Sequence, residues 1–308
     1  MIDEVRCGLG GDPKTLPAKY LYDEVGSRLF DEICDQPEYY PTRTEEALLV
    51  GIADEIVARH HPAQLVELGS GSSRKTRILL DALTRRRADA CYVPVDVSEE
   101  MLRGSAEELV EQYGGLRVHG IVGDYEHHLR HLPESAERMV VFLGSTIGNF
   151  TDMEGRGFLR AVRGQLNRGD AILIGFDLVK PVEILHAAYN DAAGVTAEFN
   201  RNVLRVINRE LDADFPVSQF THEAFFNPRE SQIEMHLRIA SSGRVRVGAA
   251  GMTVDFAAGE SVRTEISRKF TRESSQRLLR AGGFEPAQWY QSPNGYFGLA
   301  LALAAAVV

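Results

Sequence analysis

The sequence predicts a mixed α/β fold in which a doubly wound, largely parallel sheet is interrupted by an inserted α+β domain. Two observations support this prediction. Apolar runs typical of buried strands alternate with helical patterns from about residue 45 to Asp177, as a parallel sheet with crossover helices requires. After Asp177 the alternation gives way to a long helical region and several short strands, and it returns only near residue 272.

The first part of the chain carries most strands of the predicted sheet. The predicted strands are Gln64–Leu68, Cys91–Asp96, Arg117–Val122, Arg138–Leu143 and Ala171–Asp177, and the predicted helices span 45–60, 74–86, Ser98–Tyr113 and 153–166. Ser98 is the expected N-cap of the third helix, with two glutamates following in the first turn.

The sequence pattern of the second part of the chain predicts a separate domain. Residues 181–214 are expected to be helical, with short strands at 232–240, 245–247, 252–256 and 264–270, a helix at 272–282 and a final strand at 296–304. Residues 1–43 are too short to fold alone and are expected to pack on the insertion. The sheet domain is therefore expected to comprise residues 44–177 and 270–308. The second domain is expected to comprise residues 1–43 and 178–269.

The composition is that of an ordinary soluble globular protein, with 308 residues, 44% hydrophobic and 25% charged. The formal net charge of −10 argues against a nucleic-acid partner, because neutralising phosphates requires clustered Lys and Arg. Basic residues do cluster between Arg74 and Arg87, but they are interpreted as the solvated face and end of a helix rather than as an RNA contact. The N-terminus lacks the apolar core of a signal peptide.

Three cysteines, Cys7, Cys34 and Cys91, are scattered and lack metal-ligand spacing. Reduced thiols in a cytoplasmic protein are the simplest interpretation. We therefore expect a cytoplasmic monomer that acts on a small molecule, without a metal, a nucleic acid or a membrane as partner.

A glycine-rich turn follows the first predicted strand and precedes a helix, at Glu67-Leu-Gly69-Ser-Gly71. Such turns bring backbone close to a nucleotide-like ligand. The dinucleotide fingerprint would need a third glycine at position 74, which is Arg74, and no P-loop pattern follows. The turn instead suits S-adenosylmethionine (SAM), which has no phosphate and carries a charged amino-acid tail. The alternative is an ordinary tight turn.

Polar residues follow the next strands at the edge where ligands of open α/β sheets bind. Asp96 ends the second strand and could accept hydrogen bonds from ribose hydroxyls. Asp124 follows the third and could accept from the adenine amino group, with Tyr125 flanking the ring. Either aspartate alone would be interpreted as a loop cap, but together they favour a cofactor site. A carboxylate on the second strand does not by itself separate SAM from NAD.

Longer motifs resemble those of the histidine-specific SAM-dependent methyltransferases. They are Tyr22-Asp-Glu-Val-Gly-Ser-Arg-Leu-Phe30, Gln36-Pro-Glu-Tyr-Tyr-Pro-Thr-Arg43, Val66-Glu-Leu-Gly-Ser-Gly-Ser-Ser, Phe142-Leu-Gly-Ser-Thr-Ile-Gly-Asn149, Thr196-Ala-Glu-Phe-Asn-Arg-Asn202 and Thr264-Glu-Ile-Ser-Arg-Lys-Phe270. The resemblance extends from about residue 14 to 303. It implies a Rossmann-like class I SAM methyltransferase domain with an inserted α+β substrate-binding domain. It also implies trimethylation of the α-amino group of L-histidine to hercynine, the first step of ergothioneine biosynthesis, with S-adenosylhomocysteine as coproduct.

The resemblance also implies roles for individual residues. Asn149 and Tyr189 look like the residues that hold the substrate carboxylate, and Glu265 and Ser267 look like those that recognise the imidazole. Tyr39 looks like the tyrosine near both SAM and the reacting amine, and is the candidate catalytic residue. The SAM-binding positions implied by the resemblance are Gly69, Lys75, Asp96, Asp124 and Tyr125, and the glycine turn adds Gly71. Tyr125 departs from the phenylalanine common in the family.

Several of these residues also fit other interpretations. Glu265 could be a solvent-facing residue paired with a neighbouring basic side chain, and Tyr189 could be a core residue. Phe30 and Met235 could line a pocket or belong to the core. The competing functions are methylation of another free amino acid, such as tryptophan or tyrosine, and SAM binding without turnover. Arg74 disfavours an NAD-dependent oxidoreductase.

Overall fold

Two compact units make up the chain in a computed structural model, which describes residues 1–71, 73–135 and 137–306 apart from the side chains of Glu126 and His127. One unit combines Met1–Tyr40 with Lys180–Arg268, and the other combines Pro41–Val179 with Lys269–Val308. We refer to the second as the sheet unit and to the first as the α+β unit.

The secondary-structure elements are numbered in chain order. The strands are β1 (Lys14–Thr15), β2 (Gln64–Leu68), β3 (Cys91–Asp96), β4 (Arg117–Val118), β5 (Ile121–Val122), β6 (Arg138–Phe142), β7 (Ala171–Asp177), β8 (Phe220–Asn227), β9 (Gln232–Ile239), β10 (Gly243–Val247), β11 (Met252–Phe256), β12 (Ser261–Arg268), β13 (Phe284–Gln291) and β14 (Phe297–Ala304). The α-helices are α1 (Ile2–Gly10), α2 (Glu24–Asp35), α3 (Tyr40–His60), α4 (Thr76–Thr84), α5 (Glu99–Gln112), α6 (Tyr125–His128), α7 (Asp152–Arg163), α8 (Val182–Tyr189), α9 (Val195–Leu211) and α10 (Arg272–Ala281).

An eight-stranded sheet forms the centre of the sheet unit, with the order β13-β14-β7-β6-β2-β3-β4 and β5 also paired with β3. Strands β2, β3, β6 and β7 are parallel, whereas β14 runs antiparallel to β7 and to β13. Every residue of β2, β6 and β7 is buried. Continuous apolar strands of this kind belong to a sheet covered on both faces.

Two hydrophobic clusters cover the two faces of this sheet. One contains Val66 and Ile172 with apolar side chains of α7 and α10, and the other contains Leu65 and Leu173 with those of α3, α4 and α5. Neighbouring strand residues enter different clusters because successive side chains point to opposite faces. The predicted doubly wound sheet is therefore confirmed.

The α+β unit contains a four-stranded sheet with the order β1-β12-β9-β8 and a two-stranded sheet of β10 and β11. Strands β8, β9 and β12 are antiparallel, and β1 adds to β12 in parallel. Helices α8 and α9 contact this sheet, and α2 contacts α9. The ladder between β12 and β9 is irregular between Arg263 and Glu265, where one strand carries an extra residue.

Several predicted elements agree with the structure, and others differ. The bounds of β2, β3 and β7 are as predicted, and Ser98 accepts a hydrogen bond from the Met101 amide as the N-cap of α5. The predicted strand 117–122 is two short strands, and the predicted helix 74–86 is only Thr76–Thr84. Strands β8 and β13 were not predicted, because β8 has a mixed polar pattern and β13 contains Pro286 within a polar edge strand.

Candidate active site

The loop after β2 begins with two glycines in the left-handed region, Gly69 with φ +71° and Gly71 with φ +47°. Side chains other than glycine rarely adopt this conformation, which explains the Gly-x-Gly pattern. A Cβ atom on Gly69 would lie 3.7 Å from Cε1 of Tyr125. The loop and the Tyr125 ring are thus neighbours at the carboxyl edge of the sheet.

Asp96, at the end of β3, fixes this loop. One carboxylate oxygen accepts a hydrogen bond from the Gly71 amide at 2.8 Å, and the other accepts from the Ser98 amide at 2.9 Å. The structure therefore shows the capping role that the sequence left open. Each carboxylate oxygen can accept a further hydrogen bond, so a contact with ribose hydroxyls stays a prediction.

A buried hydrogen-bond network lies beneath the glycine loop. The Glu67 carboxylate accepts from the hydroxyls of Thr76 and Tyr92, and the Tyr92 hydroxyl lies 2.8 Å from Ser73 Oγ. Burial raises the pKa of Glu67 to about 7, although both hydrogen bonds act in the opposite direction. Glu67, the acidic residue of the Glu-Leu-Gly-Ser-Gly motif, thus ties β2 and β3 to the start of α4.

Lys75 is held by a residue that the sequence analysis missed. Its ammonium group pairs with the carboxylate of Glu45 on α3, and this carboxylate is fully buried. The Gly144 amide, just after β6, donates to the same carboxylate at 2.8 and 3.0 Å. A Cβ atom on Gly175 would overlap with Glu45 Oε1. The sequence did contain one signal of this close approach between Glu45 and β7. It is Gly175, a single glycine within the apolar run of the strand.

Tyr125 stands at the start of α6 and directly follows Asp124. Its ring packs edge-on against Phe142 and Phe158, with centroids 5.5 and 5.7 Å apart. These contacts help to fix the orientation of the ring.

Asn149 ends a 3₁₀ turn over Thr146–Asn149 that follows β6. The turn starts from Ser145, which has φ 56° and whose hydroxyl oxygen accepts a hydrogen bond from the Asp177 amide at 2.8 Å. A serine in the left-handed region is uncommon, and such conformations concentrate at functional sites. Asn149 is therefore held at the carboxyl edge of the sheet by a constrained turn.

The α+β unit brings together the remaining site candidates. The hydroxyl of Tyr189, at the end of α8, lies 2.7 Å from Ser267 Oγ on β12, and both residues are buried. The rings of Tyr39 and Tyr189 meet edge-on with centroids 6.4 Å apart, and Phe30 lies 6.1 Å from Tyr39. Opposite Glu265, the ladder places Met235.

Tyr39 is buried, and its pKa is raised well above the ordinary value by this burial first, then by Tyr189 and other neighbours that include Glu265. Its hydroxyl therefore keeps its proton at neutral pH. Such a group can orient a substrate through hydrogen bonds, but it cannot act as a strong base.

The predicted site residues fall into two groups. Gly69, Gly71, Lys75, Asp96, Asp124, Tyr125 and Asn149 belong to the sheet unit, whereas Tyr39, Tyr189, Glu265 and Ser267 belong to the α+β unit. Within the residues that the structure describes, no three His, Cys, Asp or Glu side chains are arranged to hold a metal ion. Over the same residues, no helix combines the length and the apolar character needed to cross a membrane.

Comparison with a solved structure supports the fold. A magnesium protoporphyrin IX methyltransferase from Synechocystis, solved with bound S-adenosylhomocysteine, superimposes with a TM-score of 0.51 at 11% identity, covering 93% of this chain and 97% of that one. At this identity the likeness concerns the fold alone, and it confirms the predicted class I methyltransferase fold.

Sequence comparisons identify relatives. Histidine N-alpha-methyltransferases of Mycobacterium tuberculosis and Mycolicibacterium smegmatis are each 48% identical to this chain; the alignments cover 97% of it in both cases and 93% and 94% of the relatives. The ergothioneine biosynthesis protein 1 of Schizosaccharomyces pombe is 30% identical over 90% of this chain and 37% of its own length. Residues 1–304 match the profile of the histidine-specific, SAM-dependent methyltransferases. The chain therefore belongs to this family, as its sequence motifs predicted.

Proposed function

We propose that this protein transfers three methyl groups in turn from SAM to the α-amino group of L-histidine. The products are hercynine and S-adenosylhomocysteine, and the reaction is the first step of ergothioneine biosynthesis. The observation that carries the proposal is the clustering of Tyr189, Ser267 and Glu265 in one unit, with Ser267 bonded to the Tyr189 hydroxyl. Family membership and the two mycobacterial relatives support it.

The charged and hydrogen-bonding groups of the sheet unit suit SAM. The Lys75 ammonium suits the carboxylate of the methionine tail, and Asp96 suits the ribose hydroxyls. Asp124 suits the adenine amino group, with the Tyr125 ring beside the base. The left-handed glycines carry no side chain, so the backbone of the loop can approach the ligand closely. Bound SAM supplies a methyl group on a positively charged sulfur, which needs no further activation.

The α+β unit offers groups suited to an imidazole. Glu265 accepts a hydrogen bond from one ring N–H, and Ser267 serves the other ring nitrogen. A substrate without this ring N–H would leave polar groups of the site unpaired, which costs affinity. Tyr189 and Asn149 are the proposed partners of the substrate carboxylate.

The reacting nitrogen must be neutral before it attacks. Because Tyr39 keeps its own proton, we assign it the orientation of the amine through its hydroxyl, while water carries the ammonium proton away. Each transfer forms a nitrogen–carbon bond and breaks a carbon–sulfur bond. The protein contributes mainly by aligning these three atoms.

Mass spectrometry of the purified protein, incubated with SAM and a panel of free amino acids, tests the proposal. Histidine should gain one, two and then three methyl groups, whereas tryptophan and tyrosine should stay unmodified. Preferential methylation of another amino acid would show that histidine is not the substrate. The absence of any product would favour the alternative of SAM binding without turnover.

The proposal includes a cytoplasmic monomer that works without a metal. Treatment with a chelator should then leave the rate unchanged, and light scattering after gel filtration should give the mass of one chain. A rate lost to the chelator and restored by a divalent ion would contradict the first expectation.

A further inference from the structure

Asn200 lies in the motif Thr196–Asn202, to which the proposed reaction assigns no role. It is fully buried on α9, although asparagine is unfavourable within helices. A buried amide is retained where its hydrogen-bonding groups have partners. Here both amide hydrogens and the amide oxygen have one.

The first partner is Thr264, whose hydroxyl lies 2.5 Å from Asn200 Oδ1 and 3.1 Å from the Met235 carbonyl oxygen. Thr264 is the extra residue in the irregular ladder between β12 and β9. Such a bulge changes which face of the sheet the following residues occupy. Asn200 thus holds the bulge from the side of the helix.

The bulge decides the face on which Glu265 lies. Arg263 stands opposite His236, but Glu265 stands opposite Met235, because Thr264 has no ladder partner. Without the bulge, Glu265 would stand opposite Glu234, on the other face of the sheet. Ser267 would change faces with it.

The other end of the Asn200 amide reaches Tyr189 through a histidine. Asn200 Nδ2 lies 2.9 Å from His222 Nδ1 and 3.0 Å from the His236 carbonyl oxygen. His222 Nε2 lies 2.9 Å from the Tyr189 carbonyl oxygen. A carbonyl oxygen only accepts, so Nε2 carries the hydrogen. Burial lowers the pKa of His222, and the neutral ring accepts the Asn200 hydrogen at Nδ1.

We propose that Asn200 is a positioning residue for substrate recognition. Through Thr264 it fixes the bulge that directs Glu265 and Ser267, and through His222 it fixes the end of the helix that carries Tyr189. The buried Asn200 amide therefore sets the placement of Glu265 and Ser267 on β12 relative to Tyr189 on α8. The inference rests on the proposed function, since it assumes that these groups bind histidine.

The test compares Thr264→Val with Thr264→Ser by calorimetry. Valine has nearly the shape of threonine but lacks the hydroxyl, whereas serine keeps it. With saturating S-adenosylhomocysteine, Thr264→Val should weaken L-histidine binding by about tenfold, as expected for a lost buried hydrogen bond. Thr264→Ser should stay within about twofold of the wild type. The dissociation constant of SAM should be unchanged in both.

Asn200→Ala provides a second variant, and Asn208→Ala is its matched control. Asn208 lies on the same helix and bonds to the Phe215 backbone instead of to β12. Asn200→Ala should weaken histidine binding at least as much as Thr264→Val. Asn208→Ala should leave histidine binding unchanged, even where it lowers the melting temperature.

The outcomes separate the two proposals. A wild-type protein that binds no histidine overturns the proposed function and this inference with it. Wild-type binding together with unchanged histidine affinity in Thr264→Val and Asn200→Ala overturns only the role of Asn200. Equal losses of SAM and histidine affinity in these variants would also overturn it, because they indicate general loosening of the structure.

Discussion

The fully buried carboxylate of Glu45 forms an ion pair with the ammonium group of Lys75 and also accepts the Gly144 amide hydrogen. A buried charge of this kind is stable only with its partners in place. The pair therefore joins α3 to the loops after β2 and β6.

Glu45→Gln should weaken SAM binding about tenfold, because the amide no longer neutralises Lys75 and the ammonium loses its fixed position. Calorimetric titration with SAM measures this. Glu46→Gln is the control. Glu46 is the next residue after Glu45, and its carboxylate lies 3.5 Å from the guanidinium group of exposed Arg74. Lys75→Met should cause a similar loss, and adding Glu45→Gln to it should cause little more. Fully additive losses would contradict a role exerted through Lys75.

Glu265→Gln should raise the KM for histidine by about tenfold or more, because a carboxylate that accepts from the ring is replaced by a weaker acceptor. SAM affinity should stay nearly the same. Steady-state kinetics and calorimetry together separate the two effects. Glu223→Gln, which removes a carboxylate paired with Arg238 in the same unit, should behave as the wild type. A parallel loss of SAM affinity in Glu265→Gln would refute the assignment.

Asp96→Ala should weaken SAM binding by about tenfold or more, since it removes the proposed ribose acceptor and frees the Gly71 amide. It should also lower the unfolding free energy by about 1 kcal/mol, through loss of its bond to the Ser98 amide. Ser98→Ala keeps the Ser98 amide and its bond to Asp96 and removes only the hydroxyl that accepts from the Met101 amide, so it should lower stability without weakening SAM binding. An unchanged SAM dissociation constant in Asp96→Ala would remove this residue from the cofactor site.

Glu67 should make stability depend on pH. Burial raises its pKa from 4.5 to about 7, so the folded protein keeps a proton that the unfolded chain releases near pH 4.5. The wild type therefore loses stability relative to Glu67→Gln as the pH rises from 4.5 to 7, by up to about 3 kcal/mol. Urea unfolding at pH 5 and pH 8 measures the difference. A stability difference between the wild type and Glu67→Gln that does not change with pH would contradict the prediction.

Tyr39→Phe should lower kcat by about tenfold or more, because the hydroxyl that orients the amine is removed. The pH dependence of kcat should keep its shape, since the raised pKa of Tyr39 lies outside the working range. Rate measurements between about pH 6 and pH 9 test this. If an ionisation seen in the wild type disappears in Tyr39→Phe, the hydroxyl acts as a base after all.

Local sequence was sufficient to predict the parallel strands and the polar residues at their ends. Buried apolar runs define β2, β3 and β7, and the residues that follow them must lie at one edge of the sheet. Family membership came from long motifs, and the chain's match over residues 1–304 confirms it. The contacts of individual residues with SAM and histidine stay predictions.

Features set by distant pairing could not be predicted. Nothing in the string Val-Arg-Thr-Glu indicates that Thr264 is an extra residue, because its status depends on the register with β9. Glu45 lies in a helical pattern like many exposed glutamates, and only the folded chain puts it beside Lys75 and Gly144. Strand β13 was missed because Pro286 and its polar residues conceal an edge strand that forms only by pairing with β14.

The position of β14 between β13 and β7 has a consequence for biosynthesis. β7 is complete at Asp177, but its outer neighbour begins only at Phe297. Until the ribosome has translated this last hairpin, the nascent polypeptide carries a long apolar strand with one unbonded side, which is a template for aggregation. Closure of the sheet is therefore a late event, and strands β8–β12 must all emerge while that side is still open.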